Sequence, residues 1–178
     1  MSQYKIIFTG PVGAGKTTAI NSISDVAPVK TDAAASDMTK SRKAATTVAM
    51  DYGIMNLDDG EKIHLYGTPG QERFDFMWDI LTVGGIGLVL LLDNTRADPF
   101  QDMQFFLDSF SGFISDTSVA IGVTQMDLSS KPSINDYHEQ LKAMDLKPAV
   151  FSVDARVKND VSLLVQALLF SLDPGLED

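Results

Sequence analysis

The sequence has no cysteine, and its 178 residues include only two histidines and one tryptophan. Without cysteine, the chain can form neither a disulfide framework nor a thiolate metal site. His64 and His138 are far apart in sequence and lack the spacing of paired metal ligands. We therefore interpret both histidines as structural or surface residues.

Basic residues are also in the minority. Fourteen lysines and arginines stand against 24 aspartates and glutamates, which gives a net charge of −10. Binding to nucleic-acid phosphates or to anionic lipid would need a basic face, so this balance argues against both. No apolar run reaches the roughly 18 residues of a membrane span, and no signal-peptide or lipidation pattern is seen. We expect a cytoplasmic protein without a membrane anchor.

Strand and helix patterns alternate along the chain. Strands are predicted at 4–9, 47–57, 61–66, 87–92, 118–124 and 149–153, and helices at 17–23, 76–83, 99–114, 133–144 and 160–172. Residues 28–43 have no clear periodicity and predict a long loop, whereas Asp58-Asp59-Gly60 predicts a hairpin turn. The pattern predicts a three-layer α/β fold: a six-stranded, mostly parallel sheet with one antiparallel edge strand and helices on both faces.

One short motif predicts phosphate binding. The segment Gly10-Pro11-Val12-Gly13-Ala14-Gly15-Lys16-Thr17 matches the G-x-x-x-x-G-K-[ST] phosphate loop and lies between a predicted strand and a predicted helix. Glycines let successive backbone N–H groups face one anion, and the following helix adds its positive end. The lysine supplies charge for the phosphates and the threonine a hydroxyl for Mg²⁺. The predicted nucleotide contacts in this P-loop are Gly10, Val12, Gly13, Ala14, Gly15, Lys16, Thr17 and Thr18.

Four further segments resemble the Ras-like small GTPases, in the same order, over nearly the whole chain. Thr46-Thr47-Val48-Ala49-Met50-Asp51 resembles the first switch, and Gly67-Thr68-Pro69-Gly70-Gln71-Glu72-Arg73-Phe74 resembles the second. Thr124-Gln125-Met126-Asp127 stands in the place of N-K-x-D, and Asp154-Ala155-Arg156 in that of S-A-K. The resemblance implies a P-loop fold and a single small-GTPase-like G domain over residues 1–178 that binds GTP or GDP with Mg²⁺.

The resemblance also implies roles for individual residues. Mg²⁺ would rest on Thr17 and Thr47, and the N–H of Gly70 would meet the γ-phosphate. Gln71 would orient the attacking water while Lys16 carries developing charge, so these two are the expected catalytic residues. The remaining expected nucleotide contacts are Thr124, Gln125, Asp127, Ala155 and Arg156.

Selection of the base depends on Asp127. A carboxylate accepts two hydrogen bonds from guanine N1–H and the 2-amino group, a donor pair that adenine lacks on that edge. Ala155 would supply a backbone N–H to guanine O6. Thr124 can brace the phosphate loop by one hydrogen bond, and Gln125 can lie flat over the base. The alternative for Asp127 is a turn or helix N-cap aspartate ahead of Ser129-Ser130.

The second switch departs from the usual family pattern, and the departure concerns the Mg²⁺ site. Most small GTPases begin the second switch with an aspartate that holds Mg²⁺ through water, whereas this chain has Gly67. Together with Pro69, this loss resembles the bacterial Ras-like GTPases related to MglA, which are often paired with roadblock-type partner proteins. Asp51 is the nearest carboxylate in sequence, but four extended residues from Thr47 span about 13 Å. We favour a structural or partner-facing role for Asp51.

Hydrolysis is expected to be slow without an activator. Val12 takes a position that is commonly glycine in Ras-type members, beside the route by which a partner would insert an arginine. Arg42 and Arg73 lie in the presumed switches and could act in cis, although a solvated or salt-bridged arginine is the alternative for each. Asp93-Asn94-Thr95-Arg96 follows a predicted strand near the expected ligand crevice, where we expect turn and cap chemistry.

Three functions are compatible with these residues. The first is a GTP-hydrolysing switch that binds a regulatory protein in its GTP state. The second is a nucleotide-binding interaction module with negligible turnover, which Gly67 and Val12 favour and Gln71 and Lys16 oppose. The third is a P-loop ATPase or kinase, although the sequence has no evident arginine-rich lid.

Overall fold

Seven strands and six helices are seen in the computed structural model, which describes residues 3–27, 29–30, 51–68 and 76–172. The strands are β1 (Gln3–Thr9), β2 (Val29–Lys30), β3 (Asp51–Asn56), β4 (Lys62–Gly67), β5 (Gly87–Asp93), β6 (Val119–Thr124) and β7 (Ala149–Ser152). The helices are α1 (Lys16–Ile23), α2 (Phe76–Leu81), α3 (Pro99–Ser109), α4 (Ser111–Asp116), α5 (Ile134–Ala143) and α6 (Lys158–Leu172).

The strands form one sheet in the order β2-β3-β4-β1-β5-β6-β7. Neighbours from β4 to β7 are parallel, whereas β3 runs antiparallel to both β4 and β2. The predicted α/β P-loop fold, with its mostly parallel sheet and antiparallel strand, is confirmed. β2 adds a short seventh strand within the range predicted as loop, and the rest of 28–43 lies outside the described residues. β1 is central, so the phosphate loop leaves the sheet where the strand order reverses.

Two hydrophobic cores lie on opposite faces of the sheet. β5 is buried along its whole length, as expected for a parallel strand covered on both sides. Val89 and Leu91 pack with α1 and α6, whereas Leu88, Leu90 and Leu92 pack with α2, α3 and α5. Each such side chain contributes about 1.5–3 kcal/mol when fully buried. Because alternate β5 side chains point into the two cores, helices pack on both faces of the sheet.

The prediction of one continuous helix over 99–114 is wrong, because the structure has two helices there, separated at Phe110. α3 starts at the Asp98 cap, whose side chain accepts a hydrogen bond from Gln101 N–H at 3.1 Å, and it ends before Phe110. Phe110 departs from helical geometry with φ −102° and ψ 14°. Its ring stacks on Trp78, with centroids 5.0 Å apart and 19° between the planes. Tertiary packing of this ring therefore accompanies the break.

Other local predictions agree with the structure. Ser133 and Asp136 form the expected capping box at the start of α5. The turn at 58–60 joins the antiparallel strands β3 and β4, and Gly60 adopts a positive φ of 85°. None of the helices in the described ranges is long and apolar enough to cross a membrane.

Candidate functional site

The phosphate loop connects β1 to α1 at the carboxyl edge of the sheet. Gly10, Gly13 and Gly15 have φ values of 146°, 86° and 101°, which glycine adopts far more readily than other residues. A Cβ at Gly10 would also lie 2.1 Å from the carbonyl oxygen of Leu91, so the approach of β5 leaves no room for a side chain. α1 follows directly, and its first-turn amides have no acceptor within the helix. The segment is therefore shaped to bind an anion.

Lys16 is held inside this loop. Its Nζ donates to the carbonyl oxygens of Gly10 and Pro11 at 2.6 and 2.9 Å, and the residue is 9% exposed. Burial lowers the pKa of Lys16 to about 8, an effect that the Asp51 carboxylate opposes and the Arg96 guanidinium increases. A bound phosphate would give this ammonium group a negatively charged partner and so favour its protonated form. The environment thus favours binding of a polyanion.

Residues at the end of β6 form hydrogen bonds with the phosphate loop. The hydroxyl of Thr124 donates to the carbonyl oxygen of Ala14 at 2.9 Å and lies 3.2 Å from that of Leu92. The bracing predicted for Thr124 is therefore confirmed. Gln125 has a positive φ of 62°, and its side-chain amide donates to the carbonyl oxygen of Gly13 at 3.2 Å. Both residues tie the segment after β6 to the loop.

A cavity of about 580 Å³ extends from the phosphate loop along this edge. Three distant parts of the chain line it: the phosphate loop, the segment after β6 and the segment after β7. The lining includes nine of the residues predicted to contact nucleotide, which are Gly13, Ala14, Gly15, Thr18, Thr124, Gln125, Asp127, Ala155 and Arg156. The fold therefore brings together, around one open space, residues that the sequence separates by more than a hundred positions.

Asp127 lies in an exposed turn on the wall of this cavity. The amides of Leu128 and Ser129 donate to the carbonyl oxygen of Gln125 at 3.1 and 3.2 Å and close the turn. The next helix, α5, starts at Ile134 with Ser133 as its cap. The helix N-cap alternative for Asp127 is therefore wrong, whereas its position in a turn agrees with the structure.

The turn after β7 packs against the phosphate loop. Asp154 accepts hydrogen bonds from the backbone N–H of Arg156 at 3.0 Å and from its guanidinium at 2.9 and 2.8 Å. These bonds lower the pKa of Asp154 to about 2. A Cβ on Gly15 would lie 3.0 Å from the Cβ of Ala155, which is 8% exposed. The amides of Asp154 and Arg156 have protein acceptors, whereas no bond from the Ala155 amide to another described residue is seen.

Asn94 and Tyr137 hold the segment that carries Asp127, a role that sequence reasoning missed. The Asn94 side-chain amide donates to the carbonyl oxygens of Ser129 and Pro132 at 2.6 and 3.0 Å, and its oxygen accepts the Tyr137 hydroxyl at 2.6 Å. The position of Asn94 after a strand was a signal for this role. Its neighbour Asp93 makes the expected turn by accepting the N–H and hydroxyl of Thr95 at 2.8 and 2.6 Å.

Asp51 contacts the residue that follows Lys16 at the phosphate loop, and this contact agrees with the structural role favoured for it above. Its Oδ2 accepts a hydrogen bond from the hydroxyl of Thr17 at 2.5 Å. The estimate of about 13 Å measured the separation from Thr47 along the strand, whereas Asp51 reaches Thr17 across the sheet from the start of β3. A hydroxyl and a carboxylate side by side are the oxygen donors that suit Mg²⁺.

The start of the presumed second switch is anchored beside the phosphate loop. The backbone N–H of Thr68 donates to the carbonyl oxygen of Phe8 at 2.9 Å. The hydroxyls of Thr68 and Thr9 are 2.7 Å apart, and both residues are buried. The chain therefore leaves β4 next to β1, and Thr68 lies beside the end of the strand that leads into the phosphate loop.

Several predicted site residues lie outside the described ranges, namely Thr47, Gly70, Gln71, Arg42 and Arg73. The other two arginines pair with neighbouring aspartates. Arg96 contacts Asp102 at 2.6 Å, and Arg156 contacts Asp154 at 2.8 Å. Val12 is 57% exposed at the tip of the phosphate loop. His64 bonds Tyr52 and Gln3, and His138 is exposed, which agrees with structural or surface roles.

Comparison with known protein families shows the family to which the chain belongs. A sequence profile of the family described as "Conserved hypothetical ATP binding protein" matches residues 8–169, which span the phosphate loop, the segment after β6 and the turn after β7. The chain belongs to this family. Membership in the ATP-binding-protein family agrees with a nucleotide site at the phosphate loop, although the description names adenine nucleotide and Asp127 predicts guanine.

Individual relatives point to the Ras-like proteins. The chain is 23% identical to the Ras-related protein RabC of Dictyostelium discoideum, with 98% of this chain and 86% of RabC covered. It is 24% identical to a GTP-binding nuclear protein of Encephalitozoon cuniculi, with 97% and 78% covered. An uncharacterised protein of Methanocaldococcus jannaschii is 30% identical over 102 residues, and this match spans 57% of the chain and 58% of the relative. These relatives are archaeal and eukaryotic.

Proposed function

We propose that this protein is a GTP-binding and GTP-hydrolysing molecular switch with slow intrinsic turnover. The observation that carries the proposal is the single cavity that joins the phosphate loop to Asp127 and Ala155. The glycine-rich loop lines one end of this cavity, with Lys16 buried inside that loop, and would offer its amides to phosphates, whereas Asp127 and Ala155 would offer a carboxylate and an amide to a base. The similarity to RabC and to a GTP-binding nuclear protein supports the same conclusion.

Guanine fits the base end of the cavity by its hydrogen-bonding groups. Asp127 would accept from guanine N1–H and the 2-amino group, and the Ala155 amide would donate to O6. Adenine has no donor pair for the carboxylate on that edge, so its binding would leave the acid unpaired at a cost of about 1–3 kcal/mol. Gln125, whose side-chain amide contacts the phosphate loop, also lines the cavity.

Hydrolysis would depend on positioning and charge more than on covalent chemistry. Mg²⁺ would be held by Thr17 and Thr47 and would neutralise charge on the phosphates. Gln71 would orient the water, Gly70 N–H would contact the γ-phosphate, and Lys16 would stabilise the charge that develops. Val12 at the exposed tip of the loop would restrict the approach of an arginine from a partner.

Single-turnover hydrolysis of bound GTP tests the catalytic part of the proposal. We expect slow hydrolysis in the unmodified protein and a further loss of about 10-fold or more in Gln71→Ala, because one positioning group is removed. Arg42→Ala and Arg73→Ala show whether either arginine acts in cis, with Arg96→Ala as the matched control. Equal rates in all of these variants would contradict the mechanism.

Two alternatives are separated by the same measurements. Adenine-nucleotide binding is favoured by the family description, and tighter binding of ATP than of GTP would establish it. Tight binding of GTP with no hydrolysis would indicate an interaction module without turnover.

We also propose that the chain works as one G domain whose GTP form binds a regulatory protein. Gly67 and Pro69 at the start of the second switch support placement in the bacterial MglA-related group, and a roadblock-type protein is then the first partner to test. Two long loops that order around γ-phosphate and Mg²⁺ would provide the nucleotide-dependent surface. Binding of such a partner to the GTP-loaded but not the GDP-loaded protein is the expected result.

A further inference from the structure

Asp51 and Gly67 are paired across the sheet at the edge where the metal would bind. Asp51 is the first residue of β3 and Gly67 the last of β4, and the antiparallel register places them opposite each other. Such neighbours lie close enough for one side chain to reach the space next to the other position. A carboxylate on Asp51 can therefore occupy the space next to Gly67, which has no side chain of its own.

The contacts of Asp51 show where its carboxylate lies. Oδ2 accepts the hydroxyl proton of Thr17 at 2.5 Å, and Asp51 is partly buried. The hydroxyl oxygen of Thr17 keeps its lone pairs for a cation while its proton is donated to the acid. Asp51 therefore contacts the hydroxyl that is expected to bind the metal.

Gly67 leaves the space that this arrangement needs. A Cβ at position 67 would lie 3.2 Å from the Cβ of Asp51 and 3.5 Å from its Oδ2. It would also lie 3.1 Å from Cδ1 of Ile20. A side chain at position 67 would thus compete with the Asp51 carboxylate for one volume. The glycine at position 67 and the carboxylate of Asp51 therefore fit together in one space.

We propose that Asp51 supplies the carboxylate of the magnesium site, from β3 instead of from the start of the second switch. Mg²⁺ keeps several water ligands when it binds phosphates and needs few carboxylates. Asp51 would hold the Thr17 hydroxyl in place through Oδ2 and offer its other oxygen to metal-bound water. The inference rests on the proposed function in that it requires Mg²⁺ with a bound nucleotide, but it does not depend on which base is bound.

Metal affinity in Asp51→Asn tests the proposal directly, because the substitution removes charge and keeps the shape of the side chain. Mn²⁺ replaces Mg²⁺ as the probe, and its affinity for the protein–GDP complex is measured by electron paramagnetic resonance. We expect a loss of about 10- to 100-fold, the usual effect of removing a group that supports a metal ligand. Asp58→Asn, on the exposed hairpin that follows β3, is the matched control and should leave the affinity unchanged.

Nucleotide release gives a second readout that does not depend on hydrolysis. Mg²⁺ should slow the release of a fluorescent GDP from the unmodified protein and from Asp58→Asn, and it should have a much smaller effect on Asp51→Asn. Chelation of the metal should bring all three proteins to similar release rates. Equal metal dependence in Asp51→Asn and Asp58→Asn, with folding verified by thermal denaturation, would overturn the proposal and leave Asp51 a structural acid.

Exchange of the two residues provides the sharpest control. Asp51→Gly with Gly67→Asp moves the carboxylate to the neighbouring strand and avoids the close contact of 3.2 Å that two Cβ atoms would make. Recovery of most of the metal affinity relative to Asp51→Gly alone would support a carboxylate at this point in space. A folded exchange variant that binds Mn²⁺ no better than Asp51→Gly would contradict it. If the unmodified protein binds ATP instead of GTP, the proposed function fails, but the same comparison with ADP still tests Asp51.

Discussion

The hydroxyl of Thr124 donates to the carbonyl oxygen of Ala14 at 2.9 Å, which ties the end of β6 to the phosphate loop. Both residues are buried. The segment that follows Thr124 carries Asp127, so this hydrogen bond helps to set the distance between the proposed base-binding and phosphate-binding groups, together with the bond from Gln125 to Gly13. The cavity depends on this separation, because a nucleotide must contact both ends at once.

Thr124→Val should weaken nucleotide binding as well as stability. The substitution keeps the volume but leaves the Ala14 carbonyl without its donor, at a cost of about 1–3 kcal/mol. Thr117→Val is the matched control, because the Thr117 hydroxyl also bonds a backbone carbonyl, that of Phe113, at 2.6 Å. Denaturant unfolding should show a loss in both variants, whereas calorimetry should show weaker GDP binding only in Thr124→Val. A similar loss of affinity in Thr117→Val would mean that the effect reflects general stability.

Gly10→Ala should disrupt the phosphate loop. The added Cβ would meet the Leu91 carbonyl oxygen at 2.1 Å, and the φ of 146° is unfavourable for alanine. We expect destabilisation of several kcal/mol and loss of nucleotide binding. Gly112→Ala in α4 is the control, because nothing lies within 4 Å of its Cβ, and alanine should stabilise that helix by about 0.5–1 kcal/mol. Thermal unfolding of the two variants should therefore shift in opposite directions.

Asp127→Asn should change the preferred base. The amide cannot accept both guanine donors, and loss of these charge-assisted bonds is expected to cost about 1.5–3 kcal/mol, or roughly 10- to 100-fold in affinity for GDP. Its N–H₂ group can instead donate to the 2-oxo group of xanthine, so affinity for xanthosine diphosphate should rise. Asp116→Asn, at an exposed position on α4, should change neither affinity. Unaltered GDP binding by Asp127→Asn would exclude Asp127 from base recognition.

Nucleotide affinity should fall as pH rises, when it is measured without Mg²⁺. The pKa of Lys16 is lowered to about 8 in the free protein, chiefly by burial, and bound phosphates should raise it. Binding then takes up a proton above that pH, so affinity should decrease by up to about tenfold per pH unit between about pH 8 and about pH 9. Lys5→Met is the control, because burial also lowers the Lys5 pKa, whereas the Lys5 ammonium group bonds the carbonyl oxygen of Val83 and not the phosphate loop. A flat profile for the unmodified protein would contradict this role of Lys16.

The fold and most of the cavity lining could be predicted because they depend on local patterns. The glycine spacing of the phosphate loop predicts its backbone conformation, and the alternation of strand and helix patterns predicts a parallel sheet. Phe110 shows the limit of this approach. Its break between α3 and α4 accompanies packing of its ring on Trp78, a residue more than thirty positions away in sequence. The helical pattern of residues 99–114 cannot predict this packing, because it depends on a contact with a distant part of the chain.

Asp51 and Asn94 show the same limit in the site. The distance argument for Asp51 followed the chain from Thr47, whereas its contact with Thr17 crosses the sheet from β3 to α1. Asn94 bonds the segment after β6 from the end of β5, which depends on strand order. Sequence could place both residues near loops of interest, but only the three-dimensional arrangement assigns their partners.

Competition between GTP and ATP for the unmodified protein tests the central claim most directly. A fluorescent guanine nucleotide is bound first, and unlabelled GTP or ATP is then added until it is displaced. A guanine site built on Asp127 predicts displacement by GTP at concentrations at least about fivefold lower than by ATP, since one unpaired carboxylate costs about 1–3 kcal/mol. Displacement by ATP at equal or lower concentrations would contradict the account and favour an adenine-nucleotide protein.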